Sequence, residues 1–147
     1  MTTQDFTTTI TVDQSPEEVF NAINHVRGWW SGEIEGATNI SGSEFTYAVP
    51  GVHFSKQRIT ELIPNKKIVW KVVEADLSFV QNKNEWTGTH ISFDIIRKEN
   101  STEVRFTHSG LAPANECYKD CSNAWSLLIN ANLKNLIASG EDQPSPW

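Results

Sequence analysis

Residues 113–139 carry Tyr118, Cys121, Trp125, Leu128, Ile129, Leu133, Leu136 and Ile137 at intervals of three and four. That spacing predicts one long amphipathic helix, with Gly140 as its terminator. Nothing earlier in the chain matches it in length. The stretch before it, from Glu33 to His108, has the period of strands and the turn residues of hairpins. Consecutive strands joined by short turns make an antiparallel sheet, and a single long helix has to cover that sheet's apolar face. A sheet curved around one helix leaves space between them, which is where small ligands are commonly held.

The strands can be placed by alternation. Phe6, Thr8, Ile10 and Val12 share one face of a first strand, with threonines on the other. Ser15, Pro16 and Glu18 then form a helix start: a cap, a first-turn proline and the reciprocal carboxylate of a capping box. Val19, Phe20 and Ile23 give that short helix its apolar stripe, and a second helical turn is predicted over residues 26–30. Further strands are expected at residues 45–49, 52–63, 68–73, 87–96 and 103–108, with residues 76–84 as a loop holding Leu77 and Phe79. One domain, residues 1–147, is expected, with residues 143–147 as a loose tail. The fold class is α+β: a curved antiparallel sheet wrapped around a long C-terminal helix, with two short helices after the first strand.

The formal net charge of −6 argues against a nucleic-acid partner, which would need a stripe of Lys and Arg. No apolar run reaches the length of a membrane span, and the first residues lack the pattern of a secretory signal, so a cytoplasmic protein is expected. Cys117 and Cys121 fall four apart in the predicted helix. Neighbours at that spacing hold their Cβ atoms about 5–6 Å apart, whereas a disulfide wants about 3.5–4.5 Å. Free thiols are therefore expected, as in a reducing compartment. Cys117, Cys121 and His108 are too poor a set to predict a metal, and no cofactor is implied.

The sequence also bears on chemistry. Trp29 and Trp30 are adjacent and cannot point the same way; one is expected in the core and the other at the cavity or its rim. Trp70, Trp86 and Trp125 are expected to line or close the same interior. His108 follows Val104 and Phe106 on one strand face, so its ring should point inward beneath the final helix, where it could bond a ligand or be a satisfied core histidine. His25 reads as a helix-end cap; His53 and His90 are less constrained. Asp94 and Arg105 are expected to face outward and pair across neighbouring strands. Arg58 and Glu61 differ by three, so only one is expected to face inward, and the pattern does not say which. There is no Gly-x-Ser-x-Gly motif or glycine-rich phosphate loop, and no catalytic residue is assigned. The expected ligand-binding set is Trp29, Trp30, Tyr47, Trp70, Phe93, Phe106, His108, Trp125 and Ile129.

Several of these stretches also carry a resemblance: Ser15-Pro16-Glu17-Glu18-Val19-Phe20, the Trp29-Trp30 pair, His108-Ser109-Gly110-Leu111 and Trp125-Ser126-Leu127-Leu128. In their order and spacing the chain resembles the START-related SRPBCC ("helix-grip") superfamily, which includes polyketide-cyclase-like proteins. Within it, the resemblance is to bacterial homologues of the activator of the 90-kDa heat-shock protein ATPase. That family often has Gly before the helix Trp; here Ala124 stands there. The resemblance implies a helix-grip fold and a cavity but no single function. Binding of a small hydrophobic or aromatic molecule is the favoured expectation. The alternatives are a cyclase- or hydrolase-type enzyme, using His108 or the inward member of Arg58 and Glu61, and a co-chaperone suggested by the family's name. A homodimer and a chaperone partner stay open.

Overall fold

The computed structural model describes residues 5–144 except 31, 79, 82, 84, 113 and 114. Strand β1 (Phe6–Val12) alternates as its sequence requires and leads to helix α1 (Pro16–Asn24). The capping box is formed: Ser15 Oγ accepts from the Glu18 amide at 3.2 Å, and the Glu18 carboxylate accepts from the Ser15 amide at 3.5 Å. A 3-10 turn (Val26–Gly28) follows and delivers the tryptophan pair.

Strands β2 (Glu33–Gly36), β3 (Glu44–Val49), β4 (His53–Ile63), β5 (Lys67–Leu77), β6 (His90–Arg97) and β7 (Thr102–Ser109) complete a seven-stranded sheet in the order β1-β7-β6-β5-β4-β3-β2. Every pairing is antiparallel. Strands β1 and β2, neighbours in the chain, thus lie at opposite edges, and α1 with its 3-10 turn spans between them. The inner face carries Val104, Phe106 and His108 from β7, Ile91, Phe93 and Ile95 from β6, and Ile68, Trp70 and Val72 from β5, all buried.

Strand β5 is longer than its sequence suggests. It continues through Asp76 and Leu77 and pairs with the start of β4, so that this part of the expected loop is strand. Lys56 faces Glu74 and Gln57 faces Val72, which leaves Val73 as an extra residue. This bulge breaks the alternation that sequence reasoning follows. Phe79 lies outside the described residues. A second bulge, between Ile59 and Glu61, corrects the expectation for Arg58 and Glu61: Ile59 takes the inward position and neither charge is buried. Arg58 is exposed and reaches Glu44 at 2.8 Å. Asp94 and Arg105 do face each other in register, yet they do not form the expected pair. Asp94 lies 3.9 Å from Lys67, its partner across β5, and Arg105 turns to Glu103 at 3.3 Å.

The final helix is continuous in three parts: α2 (Tyr118–Leu127), a π-helical stretch (Leu128–Leu133) and α3 (Lys134–Ser139). It begins later than residue 113, which lies outside the described residues. The wider π turn places Leu128, Ile129, Asn132 and Leu133 together on the buried side. Gly140 closes the helix with φ 75°, and its amide donates to the Leu136 carbonyl at 2.7 Å. The first tail residues are held against the body. The Gln143 amide donates to the Gly28 carbonyl at 2.8 Å, and Asn132 Nδ2 donates to the Pro144 carbonyl at 3.0 Å. Residues 145–147 lie outside the described residues.

Candidate functional site

A cavity of about 270 Å³ opens between the N-terminal half of the final helix and the end of the sheet where β3 turns into β4. Asp120, Cys121, Ala124, Trp125 and Leu128 form its helical wall. Tyr47, Val49, Val52 and His53 form the sheet wall, and Trp30 and Trp86 close its sides.

The aromatic rings are braced against one another. Trp30 stacks on Tyr47 with ring centres 4.1 Å apart and planes 14° from parallel. Trp86 stacks on Trp125 at 5.8 Å and 12°. His53 stands edge-on to both Tyr47, at 5.1 Å, and Trp86, at 4.8 Å. Such offset and edge-on contacts fix ring orientation as well as burying area. The loop carrying Trp86 is anchored to the helix. The Glu85 carboxylate accepts from the amides of Glu116 and Cys117, each at 2.9 Å, at the start of α2.

The two adjacent tryptophans divide their tasks. Trp29 is buried under α1, stacks on Trp70 and donates from Nε1 to the Ile23 carbonyl at 3.1 Å. Trp30 is on the cavity wall. Of the residues expected to bind ligand, the structure brings Trp30, Tyr47 and Trp125 to the cavity. Trp70, Phe93, Phe106 and Ile129 pack in the core beneath it, as Trp29 does. His108 points inward but stands behind the wall. Trp125 Nε1 donates to its Nδ1 at 3.0 Å. The ring is neutral, because burial above all, with His53 nearby, lowers its pKa to about 3. Its hydrogen is therefore on Nε2 and is given to Thr89 Oγ1 at 2.9 Å. Thr89 in turn donates to the Trp86 carbonyl. With both nitrogens engaged, His108 braces Trp125 and the Trp86 loop.

His53 is the cavity histidine that the sequence did not single out. It shares strand parity with Ser55, Gln57 and Ile59, so the signal was alternation along β4. What hid it was the polar character of that face. Burial lowers its pKa to about 4. Its Nε2 lies 3.0 Å from Ser55 Oγ, which also accepts from Gln57 Nε2. Ser55 and Gln57 are fully buried.

Cys117 and Cys121 are joined as a disulfide, against the expectation of free thiols. That expectation used the Cβ spacing of an ideal helical turn, whereas in this first turn of α2, helical at Cys117 too, the two Cα atoms are 5.4 Å apart, within the range of a disulfide. The free-thiol argument for a reducing compartment falls with it. Among the described residues no group of three or more His, Cys, Asp and Glu is placed to hold a metal ion, and no helix is long and apolar enough to cross a membrane.

The model of the family "Activator of Hsp90 ATPase homolog 1-like protein" matches residues 13–138. The chain belongs to this family. Among solved structures, the AHSA1-like chain is similar to one described as the Aha1 dimer from Colwellia psychrerythraea. The two are 28% identical, with a TM-score of 0.75, over 93% of this chain and 98% of that one. CalU16 from Micromonospora echinospora shares the fold at 16% identity and a TM-score of 0.64, over 95% of this chain and 76% of that one. So does DynU16, described as a putative protein in the dynemicin biosynthetic locus, at 12% identity and a TM-score of 0.66. The AHSA1-like chain is covered over 92% there and spans only 48% of DynU16. A search of curated proteins finds no match. Together, the seven-stranded antiparallel sheet, the long C-terminal helix and these relatives make the protein an α+β helix-grip domain of the SRPBCC type.

Proposed function

We propose that this AHSA1-like domain binds a small, flat, hydrophobic molecule in the cavity between sheet and helix. The observation that carries the reading is an opening of about 270 Å³ whose walls include Trp30, Tyr47, Trp86 and Trp125. Aromatic walls already held in place by stacking lose little freedom on binding, so burial of a ligand's apolar surface is not offset by ordering of the site. The same wall presents no free serine or cysteine among the described residues: Ser55, which pairs with His53, is fully buried behind the wall, and Cys121 is tied to Cys117.

Titration with naphthalene, followed by tryptophan fluorescence, tests this. Saturable quenching is expected in the natural protein. It should disappear in Ala124→Phe, which places a ring inside the cavity. Quenching that is absent, or unchanged by that substitution, overturns the reading. The relative from Colwellia psychrerythraea is described as a dimer, and self-association of this chain is part of the proposal. Sedimentation equilibrium with and without naphthalene decides whether the bound form is one chain or two.

A further inference from the structure

We propose that two copies of this chain join through the open edge of β1, antiparallel about a two-fold axis at Thr9, so that their sheets run on as one. This rests on the self-association proposed above and names its surface.

The sheet ends at β1 on one side and at β2 on the other. The β2 edge is guarded. It is short, carries Glu33 and Glu35, and has Arg27 Nη2 donating to its Ile34 and Gly36 carbonyls at 3.2 and 3.1 Å. The β1 edge lacks such guards. Phe6–Val12 contains no charge, proline or glycine, and its register with β7 runs without a bulge.

Two bonds fix which way the β1 backbone points. The Phe6 amide donates to the Leu111 carbonyl, and Thr7 Oγ1 donates to the Phe106 carbonyl, each at 2.8 Å. The Phe106 carbonyl thus points at β1, where its register partner is Thr8. Along an antiparallel ladder such pairs alternate. Phe6, Thr8, Ile10 and Val12 therefore turn their peptide groups to β7, while Thr7, Thr9 and Thr11 turn theirs away from the sheet. Among the described residues, nothing bonds those outward amides and carbonyls. All three threonines are exposed.

The strand is complementary to itself. With Thr9 opposite the partner's Thr9, Thr7 meets the partner's Thr11, and every outward amide and carbonyl is satisfied at once. On the inner face, Thr8 then lies opposite the partner's Ile10, and Phe6 opposite the partner's Val12. On the outer face each pair is threonine on threonine, a favourable cross-strand combination. No side chain changes face, and a slip of two residues leaves peptide groups unpaired at both ends. A second copy supplies this match by identity, as an isologous contact requires. Asp5 and Asp13 flank the strand, so Asp5 approaches the partner's Asp13, a repulsion that salt screens.

Sedimentation equilibrium, with a mixed sample of isotope-labelled and unlabelled chain, tests this. The natural protein is expected to dimerise, more tightly as salt is raised. Isotope-filtered spectra should show an interchain contact between the α-hydrogens of Thr8 and the partner's Ile10, which close to their shortest distance in this register. Thr9→Pro removes an outward amide and leaves the β1–β7 ladder its bonds. It should raise the dimer's Kd roughly tenfold or more. The cavity takes no wall residue from β1, so the dimer and naphthalene binding are read separately. If the chain dimerises without the Thr8–Ile10 contact, or Thr9→Pro dimerises as well as the natural protein, another surface is used; this inference falls and self-association stands. If the chain stays monomeric, both fall. The interchain contact is read in the natural protein, so it decides the matter even if the variant fails to fold.

Discussion

His53 and His108 set a condition on the pH at which the fold is stable. Burial lowers the pKa of His53 to about 4, and burial with the neighbouring His53 lowers that of His108 to about 3, against 6.5 for an unperturbed ring. As pH falls below 6.5 the unfolded chain takes up these protons while the folded chain does not. Stability is thus complete above that point and is lost as pH falls toward the folded values. Each ring contributes about 1.4 kcal/mol per pH unit within the window. Urea unfolding between pH 6.5 and 5 should show this decline. His108→Gln should make it shallower by up to one proton, and His53→Gln, nearer the cavity mouth, by less. An unchanged slope in both variants would mean that neither ring stays neutral in the fold. That His108 points inward was legible from Val104 and Phe106 on the same strand. Its partners were not, because Trp125 comes from the helix and Thr89 from the loop before β6, and alternation says nothing about contacts between elements. The same limit applied to Trp29 and Trp30: adjacency required them to diverge, while only the fold assigned Trp30 to the cavity.

Elements were legible where their period was unbroken, as in β1, β7 and the capping box of α1. They were obscured where a bulge changed parity: the extra residue Val73 hid the second half of β5, and the register shift near Thr60 left Arg58 and Glu61 undecided. Connections between elements were not legible at all, and two of them can be tested. The Glu85 carboxylate holds two amides at the start of α2, taking the place of a local cap and favoured there by the helix dipole. Glu85→Ala should cost about 0.5–2 kcal/mol in urea unfolding. It should also weaken naphthalene binding, since Trp86 is the next residue and loses its tether; equal binding would show that the loop is held by other contacts. Gly110, after β7, has φ +103°, and a Cβ there would meet Thr89 Cγ2 at 2.6 Å. Gly110→Ala therefore combines backbone strain with pressure on the residue that bonds His108. It should destabilise the protein by roughly 1–3 kcal/mol and shift the His108 ring signals in nuclear magnetic resonance spectra. Unmoved ring signals would mean that the turn yields without disturbing Thr89.

At the scale of the molecule, the order of elements was enough to derive a sheet gripping one helix, because a lone amphipathic helix had no other apolar surface to cover. The position of the cavity needed the packing itself. Core volume is settled by which side chains interdigitate, and the inner face of β4 carries Ser55 and Gln57 where a fully apolar strand would have filled space differently. The walls come from the segment after α1, the β3–β4 hairpin, the loop before β6 and the final helix. Unfolding separates all four, so a ligand held among them binds only the folded chain. Linkage then gives a magnitude: free naphthalene at a hundred times its Kd should add about 2.7 kcal/mol to stability. For a domain of this size that corresponds to a rise in Tm of about 5–10 °C. Scanning calorimetry at several naphthalene concentrations should show Tm rising with the logarithm of free ligand, and Ala124→Phe should abolish the rise while still unfolding cooperatively. Fluorescence quenching without any rise in Tm would mean that the probe sits on a surface that unfolding does not remove, and the cavity would lose its claim to be the binding site.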